Sequence, residues 1–257
     1  MYIAHLFKTN LKAAFALKWG FVFNGIVAFF NTFVGFASFL IIFHKYETIN
    51  GYNIYDVSFL TGVIILIYAP YASLFYGVSS LVERIEKSEL DGYFIQPRNL
   101  WLNIACSHND PTGVVEFFTG LVFLIFSGYI TLANLPIFLF MLLLGQIIFI
   151  SFLSIIASLA FFIRSGIYDL YRIALIIFVT AGGKPRGMFA GFVKVAVWTV
   201  IPAGMITFVP IDVIKGDFST LPILIIASII FSFTAVLVFN FGLKRYNSGN
   251  GFYSHSG

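Results

Sequence analysis

The residues that could carry out catalysis lie outside the apolar runs of this chain. The sequence Gly182-Gly183-Lys184-Pro185 approaches a phosphate-binding loop, but it lacks the first glycine and the hydroxyl residue of that motif. No HExxH, CxxC or GxSxG motif occurs, and all four histidines fall outside the apolar runs. A membrane metalloenzyme would need histidines or carboxylates facing each other within the bilayer. The sequence therefore predicts no catalytic residue, no metal site and no cofactor.

Ion-coupled transport would require an ionisable residue near the middle of a membrane span. The candidate is Glu116, which lies only about a turn and a half inside the third apolar run. We expect its carboxylate to snorkel toward the interface or to pair with Lys194. The nearly uncharged interior argues against ion coupling.

Neutral polar residues remain within the apolar runs. Such residues commonly hold membrane helices together, and they can also line a path for an amphiphilic substrate. Helix packing is the commoner role for any one of them. The candidates for a translocation path are Asn24, Asn31, Tyr68, Tyr71 and Gln146.

Charge is concentrated between the second and third apolar runs, where the stretch from Leu81 to Gly113 holds 8 of the 26 charged residues. Glu83 and Lys87 are spaced i,i+4 in the order that stabilises a helix. Asn99 is placed to cap a second short helix, and Asp110-Pro111 is typical of a helix start. We call residues 82–110 the coupling segment, because a soluble partner could bind a rigid polar element of this kind. The alternative is an ordinary solvated loop.

Membrane-spanning helices must position these residues. The chain is 60% hydrophobic and 10% charged, whereas a soluble domain carries about 25% charge. Several apolar runs reach the roughly 18 residues that mark a transmembrane helix. We predict an all-α, polytopic membrane protein that forms one domain over residues 1–257, with an interfacial amphipathic helix at 2–18. The six predicted spans are about 20–43, 57–81 (kinked at Pro70), 111–132, 136–162, 192–214 and 221–243.

Residues 164–192 are expected to form a surface-lying or partly re-entrant helix, because their apolar part, Ile173 to Ala181, is too short to cross a bilayer. With this topology 13 of the lysines and arginines fall on one side, including Lys184, Arg186 and Lys194, and 2 fall on the other. The positive-inside rule then places both termini, the coupling segment and the tail at 244–257 in the cytoplasm. The single cysteine, Cys106, excludes an intramolecular disulfide.

The coupling segment resembles a loop found in one group of transporters. Its sequence IEKSELDGYFIQP, residues 85–97, is similar to the loop after the second span of type-2 permeases of ATP-binding-cassette (ABC) exporters. Those loops typically read G-E-L-D followed by a proline, and here Ser88 stands where glycine is usual. Residues 201–210 resemble the proline-punctuated fifth span of that family, and residues 244–249 resemble its basic-tyrosine-small ending. The resemblance covers essentially the whole chain.

The resemblance implies a permease subunit of the plasma membrane that has no ATPase of its own. It implies two copies of a cytosolic ABC ATPase subunit and a second permease, identical or paralogous, as partners, with membrane lipid around them and no nucleic acid. A secondary transporter or channel not driven by ATP is the main alternative, followed by a membrane enzyme or an assembly scaffold. We expect the ATPase contacts at Glu83, Arg84, Glu86, Glu89 and Asp91, with Leu90, Tyr93 and Phe94 anchoring the segment.

Overall fold

The computed structural model describes residues 18–96, 99–163 and 166–246. The predicted interfacial helix lies outside these residues except for its last position, and the tail beyond Tyr246 lies outside them too. The described residues form helices joined by short turns, which confirms the all-α prediction. The α-helices are α1 (Lys18–Lys45), α2 (Ile54–Pro70), α3 (Gly77–Glu86), α4 (Asp91–Phe94), α5 (Leu100–Ala105), α6 (Thr112–Ser127), α7 (Leu135–Ser158), α8 (Ile167–Gly182), α9 (Gly191–Thr199), α10 (Ala203–Ile214) and α11 (Leu221–Leu243).

Four helical stretches in the described residues are long and apolar enough to cross a membrane: Val22–Lys45, Ile54–Phe75, Leu135–Phe161 and Phe218–Leu243. The shorter α6 is also apolar, and the bent pair α9 and α10 reaches the required length only when its two helices are counted together. These features identify a multi-pass membrane protein.

The second span is the centre of the bundle. It starts with a capping box, in which the Asn53 side chain accepts from the backbone N–H of Asp56 and the Asp56 carboxylate accepts from the backbone N–H of Asn53. The α-helix ends at Pro70, as expected from the lost backbone donor, and a π-helical turn over Tyr71–Phe75 joins it to α3. The predicted kink site is therefore an irregular helical junction.

Small residues bring α2 and α6 into close contact. A Cβ atom on Gly62 would lie 3.0 Å from the carbonyl oxygen of Gly120, so the two backbones approach each other directly. In the most apolar part of each span, 72% of the residues are buried in the second span but only 6% in α1. The first helix is therefore peripheral to the bundle.

Helix α8 packs one face into the bundle, so the surface-lying alternative for residues 164–192 does not fit the structure, while the partly re-entrant alternative stays a prediction. Tyr171 and Phe178 are fully buried, and the Tyr171 hydroxyl lies 2.5 Å from the Tyr71 hydroxyl. The Phe178 ring packs edge-on against Phe149 at 4.8 Å between centroids. The apolar run Ile173 to Ala181 is shorter than the buried part of this helix, because a tyrosine whose hydroxyl is hydrogen-bonded can also be buried in the core.

Helices α9 and α10 do not form one crossing, so the predicted fifth span at 192–214 is also wrong. The two helices meet at 84°, at a break that contains Pro202. Arg186, which precedes α9, pairs with Asp212 near the end of α10 at 2.5 Å. Because this ion pair brings the two ends of the segment into contact, the segment enters the bundle and leaves it on the same face.

That face is opposite to the coupling segment. Asn50, in the loop after α1, donates to the carbonyl of Gly187 at 3.1 Å. In the same region Asp56 pairs with Lys215 at 2.6 Å and accepts from the Tyr129 hydroxyl at 2.6 Å. Burial, followed by the adjacent Asp56 carboxylate, raises the pKa of Tyr129 to about 12.

The basic residues around α9 were therefore assigned to the wrong side. Lys184 and Arg186 follow α8 on the face of Asn50, and Lys194 lies one turn before Trp198, whose ring is 5.1 Å from the Arg186 guanidinium. Moving these three residues changes the predicted lysine and arginine counts from 13 and 2 to 10 and 5, and four of those ten (Lys8, Lys12, Arg98 and Arg164) lie outside the described residues. The excess still favours the side of the coupling segment.

Candidate coupling surface

The coupling segment begins as the end of a long helix and then turns sharply. Helix α3 continues the second span to Glu86, and the turn places Ser88 in the left-handed region with φ at +55°. Glycine adopts this conformation without the steric penalty that a side chain carries. This backbone geometry gives a physical reason for the glycine that the resembling loops carry at the same place.

Three of the charged residues in this segment interact with other side chains of the described residues. Glu83 and Lys87 form the predicted ion pair at 2.5 Å, and this hydrogen bond lowers the pKa of Glu83 and raises that of Lys87. The Arg84 guanidinium lies over the Tyr93 ring at 4.7 Å and donates to the Ser80 hydroxyl at 3.2 Å. These residues stiffen the surface of α3.

Glu86, Glu89 and Asp91 project from the other part of this surface. All three are exposed, and Glu86 and Glu89 form no ion pair among the described residues. The structure thus presents two exposed carboxylates on this turn that are in no ion pair among the described residues, although Lys87 is close enough to Glu89 to interact with it electrostatically. A basic surface of a soluble protein could meet them there.

The turn is fastened to the bundle by Leu90 and by a tyrosine close to the end of the described chain. Leu90 is fully buried, and its backbone N–H donates to the Tyr246 hydroxyl at 3.1 Å. The Tyr246 ring lies against Phe94 at 5.8 Å and against Phe161 at 6.4 Å. Sequence reasoning missed this role of Tyr246, and its only signal was the basic-tyrosine-small ending.

Helix α5 returns the segment to α3. The Asn99 side chain caps it by accepting from the N–H of Leu102 at 3.0 Å, as predicted. Gly77 lies so close to this helix that a Cβ atom there would collide with the carbonyl oxygen of Ile104. On the opposite side of α5, the Trp101 indole N–H donates to the Ser154 hydroxyl of α7 at 3.2 Å. A displacement of the coupling segment would therefore act on both α3 and α7.

The third span starts next to this assembly. The Asp110 carboxylate accepts from the Thr112 backbone N–H at 2.9 Å, as expected of a helix start, and the Asp110 N–H donates to Ala72 at 2.8 Å. Cys106 is 4% exposed, and burial raises the pKa of its thiol. It is therefore a poor site for chemical labelling, and an engineered cysteine on the exposed turn is a better probe.

The five predicted path residues fall on three separate surfaces of the chain. Asn24 and Asn31 are exposed on α1. Tyr71 is fully buried against Tyr171, and Tyr68 packs beside it at 5.9 Å between ring centroids. Gln146 lines a cavity of about 830 Å³ between α2, α6 and α7. A shared role for these positions stays a prediction.

The expected pair between Glu116 and Lys194 does not form in the described part of the chain. Glu116 lies half-buried on α6 near the coupling segment, whereas Lys194 lies on α9. The three ion pairs among the described residues are Glu83–Lys87, Arg186–Asp212 and Asp56–Lys215.

A comparison with protein families decides the broad identity of the chain. A family model described as an ABC-2 family transporter protein matches residues 29–250. The chain belongs to the ABC-2 transporter family. This confirms the resemblance drawn from the coupling segment, and it makes the chain a membrane permease of the ABC transporter type. The searches of curated proteins and of solved structures gave no match.

Proposed function

We propose that this ABC-2 chain is the membrane-spanning permease subunit of an ABC export system whose ATP hydrolysis takes place in separate cytosolic subunits. The observation that supports it best is the coupling segment. Two exposed carboxylates, Glu86 and Glu89, lie on a turn that Leu90 and Tyr246 fix to the bundle, and neither is in an ion pair among the residues that the structure describes. A rigid, charged attachment point of this kind suits a partner that must transmit movement.

The proposed topology has six crossings: α1, the α2–α3 helix, α6, α7, α8 and α11. In it α9 and α10 form a re-entrant pair on the face opposite to the coupling segment. The excess of lysine and arginine, 10 against 5, supports a cytoplasmic position for the coupling segment and for both termini. From the family resemblance we place the protein in the plasma membrane, with residues 1–257 as one permease domain.

The proposed mechanism is a rigid-body switch. ATP would close two ATPase subunits on each other, and their movement would displace the coupling segment of each permease. The close contact of Gly77 with Ile104 would carry this displacement into α3, and the Trp101–Ser154 hydrogen bond would carry it into α7. The π-helical turn at Tyr71–Phe75 is the point at which α3 can tilt relative to α2.

A second permease, identical or paralogous, is part of the proposal. Asn24 and Asn31 are exposed on α1, and neither makes a hydrogen bond within the described residues. An amide left unpaired in hydrocarbon is unfavourable, and asparagines in such positions commonly bond across to another helix. We therefore place the contact with the second permease at α1, with the translocation path between the two subunits.

Purification of the tagged chain in a mild detergent tests this function. The proposal predicts that an ATPase subunit and a permease co-purify, with two ATPase subunits for every two permeases, and that transport by the reconstituted complex requires ATP. A chain that purifies alone and transports in vesicles under an ion gradient without nucleotide would instead be a secondary transporter.

A further inference from the structure

A cavity of about 390 Å³ opens between α5, α7 and α11, on the side of the coupling segment. Its lining has a polar rim and a mostly apolar deeper part. The rim includes Asn99, Trp101, Ser154 and Asn240, and the deeper part includes Ile150, Val236, Ser151 and Ser232. None of these residues belongs to the exposed acidic turn, whereas Asn99 and Trp101 belong to helix α5 and its cap in the coupling segment.

The depth of each part follows from the helix rise. Ser154 and Asn240 each lie 19 residues along their helices from Leu135 and Leu221, which begin on the opposite face. At 1.5 Å per residue this distance is about 28 Å, close to the roughly 30 Å thickness of the hydrocarbon core. The polar rim therefore lies at the membrane interface, and Ile150 and Val236 lie about 6 Å deeper, among the acyl chains.

The rim offers amide donors that the described residues do not use. The Ser154 hydroxyl is buried, at 1% exposure, and accepts from the Trp101 indole at 3.2 Å, so it positions the indole. The Asn240 side chain makes no hydrogen bond in the described part of the chain, and the Asn99 amide uses only its oxygen, in the helix cap. The deeper serines are satisfied within the bundle, because the Ser151 hydroxyl donates to that of Ser232 at 3.5 Å and Ser232 donates to the Ser228 carbonyl at 2.7 Å.

A cation completes the pattern. Lys244 follows Asn240 by four residues, so it lies on the same face of the helix end and one turn further toward the aqueous phase. It is exposed, and its ammonium lies 5.4 Å from the Phe241 ring. From the membrane interior toward the aqueous phase, the cavity thus presents first mostly apolar side chains, then hydrogen-bond donors, and then a positive charge.

We propose that this cavity binds one glycerophospholipid from the leaflet on the side of the coupling segment. An acyl chain would lie along the deeper apolar lining, an ester carbonyl would accept from the exposed Asn240 amide, and Lys244 would face the phosphate. Each polar part of a phospholipid meets its chemical complement at the matching depth. Because Trp101 belongs to α5, the lipid also fixes one wall of the coupling segment to α7 and α11.

Brominated phospholipids, which quench tryptophan fluorescence on contact, provide the test. In the full chain with Trp19→Phe and Trp198→Phe, Trp101 is the remaining tryptophan. The protein is reconstituted into nanodiscs of phosphatidylglycerol and phosphatidylcholine that contain a graded fraction of brominated chains. If Trp101 only met lipids at random, its quenching would follow the brominated fraction of the bilayer. We expect Trp101 to be quenched at a lower brominated fraction than such a random contact would require.

A cavity-filling variant separates the bound lipid from the surrounding bilayer. Ala235 lines the cavity, and Ala235→Phe should fill it and reduce the quenching at least twofold. Ile230→Phe, on the lipid-exposed side of the same helix, is the matched control and should leave the quenching unchanged. Asn240→Leu changes an exposed side chain without adding bulk inside the bundle, so it tests the site even if Ala235→Phe fails to fold.

Native mass spectrometry gives the second readout. We expect one phospholipid retained per chain, lost in Ala235→Phe and weakened in Asn240→Leu. Quenching and lipid retention that are the same in all variants would overturn the proposal, as would retention of a small molecule that is not a phospholipid. These measurements need no ATPase, so their outcome is independent of the proposed function.

Discussion

Reversing the charge of Glu86 and Glu89 is the sharpest perturbation of the coupling surface. Both side chains are exposed, and neither is in an ion pair among the described residues. Surface substitutions of this kind usually change the free energy of unfolding by no more than about 0.5 kcal/mol. The variant Glu86→Lys/Glu89→Lys should therefore insert and fold normally, so that any loss of activity reports on the contact with the ATPase.

The expected magnitude follows from the exposed position of these carboxylates in the free chain. Each one is hydrated now and would become buried against a basic group in the complex. Disrupting one such hydrogen-bonded charge pair costs about 2–5 kcal/mol of binding free energy. At about 1.4 kcal/mol per tenfold change, affinity for the ATPase should fall roughly 30-fold to 4,000-fold.

The assay is ATP turnover of the ATPase subunit titrated with the permease in nanodiscs. Glu47→Lys is the matched control, because Glu47 is an exposed acid in the loop between α1 and α2, on the face opposite to the coupling segment. The double variant should lose the stimulated turnover, and the control should retain it. Undiminished turnover in the double variant, or an equal loss in Glu47→Lys, would refute the assignment of this surface.

Three further predictions concern the bundle that holds this surface. Gly77→Ala should lower the thermal unfolding midpoint and weaken ATPase stimulation, because its methyl group collides with the α5 backbone. The control Gly92→Ala should affect packing little, because its methyl group meets nothing within 4 Å. Equal destabilisation by both variants would contradict the close packing. Tyr171→Phe should lower the free energy of unfolding by about 1–3 kcal/mol, because it leaves the Tyr71 hydroxyl unpaired. Changing both tyrosines to phenylalanine should recover most of that stability, measured by unfolding in detergent. Strictly additive losses would exclude this hydrogen bond. Ser88→Gly should raise stability by about 0.5–1 kcal/mol by relieving the positive φ, and a lower unfolding midpoint would show that the turn is not left-handed.

Local signals made much of the coupling segment predictable from sequence. The Glu83–Lys87 pair and the Asn99 cap each depend on residues three or four positions apart, so their spacing alone indicates a helix and a helix start. The long apolar runs likewise predicted the all-α class, and α11 was predicted at its observed bounds. In these cases the sequence neighbours are also the structural neighbours.

The path of the chain between residues 164 and 214 depended on contacts that sequence spacing does not show. Tyr71 and Tyr171 are 100 positions apart, and only their pairing makes α8 a core helix. Arg186 and Asp212 reveal that the intervening helices return to one face, and no local pattern distinguishes such a pair from a single span broken at Pro202. The sequence indicates only that Tyr246 belongs to an ending that resembles the family's. Its hydrogen bond to Leu90 joins residues 156 positions apart, so no local pattern predicts it.

The central claim is that a separate ATPase engages this chain through its coupling segment. A photoactivatable cross-linking residue at position 89, in place of the exposed Glu89, tests it most directly in intact cells. The account predicts a covalent product with a cytosolic ABC ATPase subunit, and no such product from the same probe at position 47. The absence of an ATPase adduct at position 89, or labelling of a cysteine at that position by an impermeant reagent from outside the cell, would contradict it.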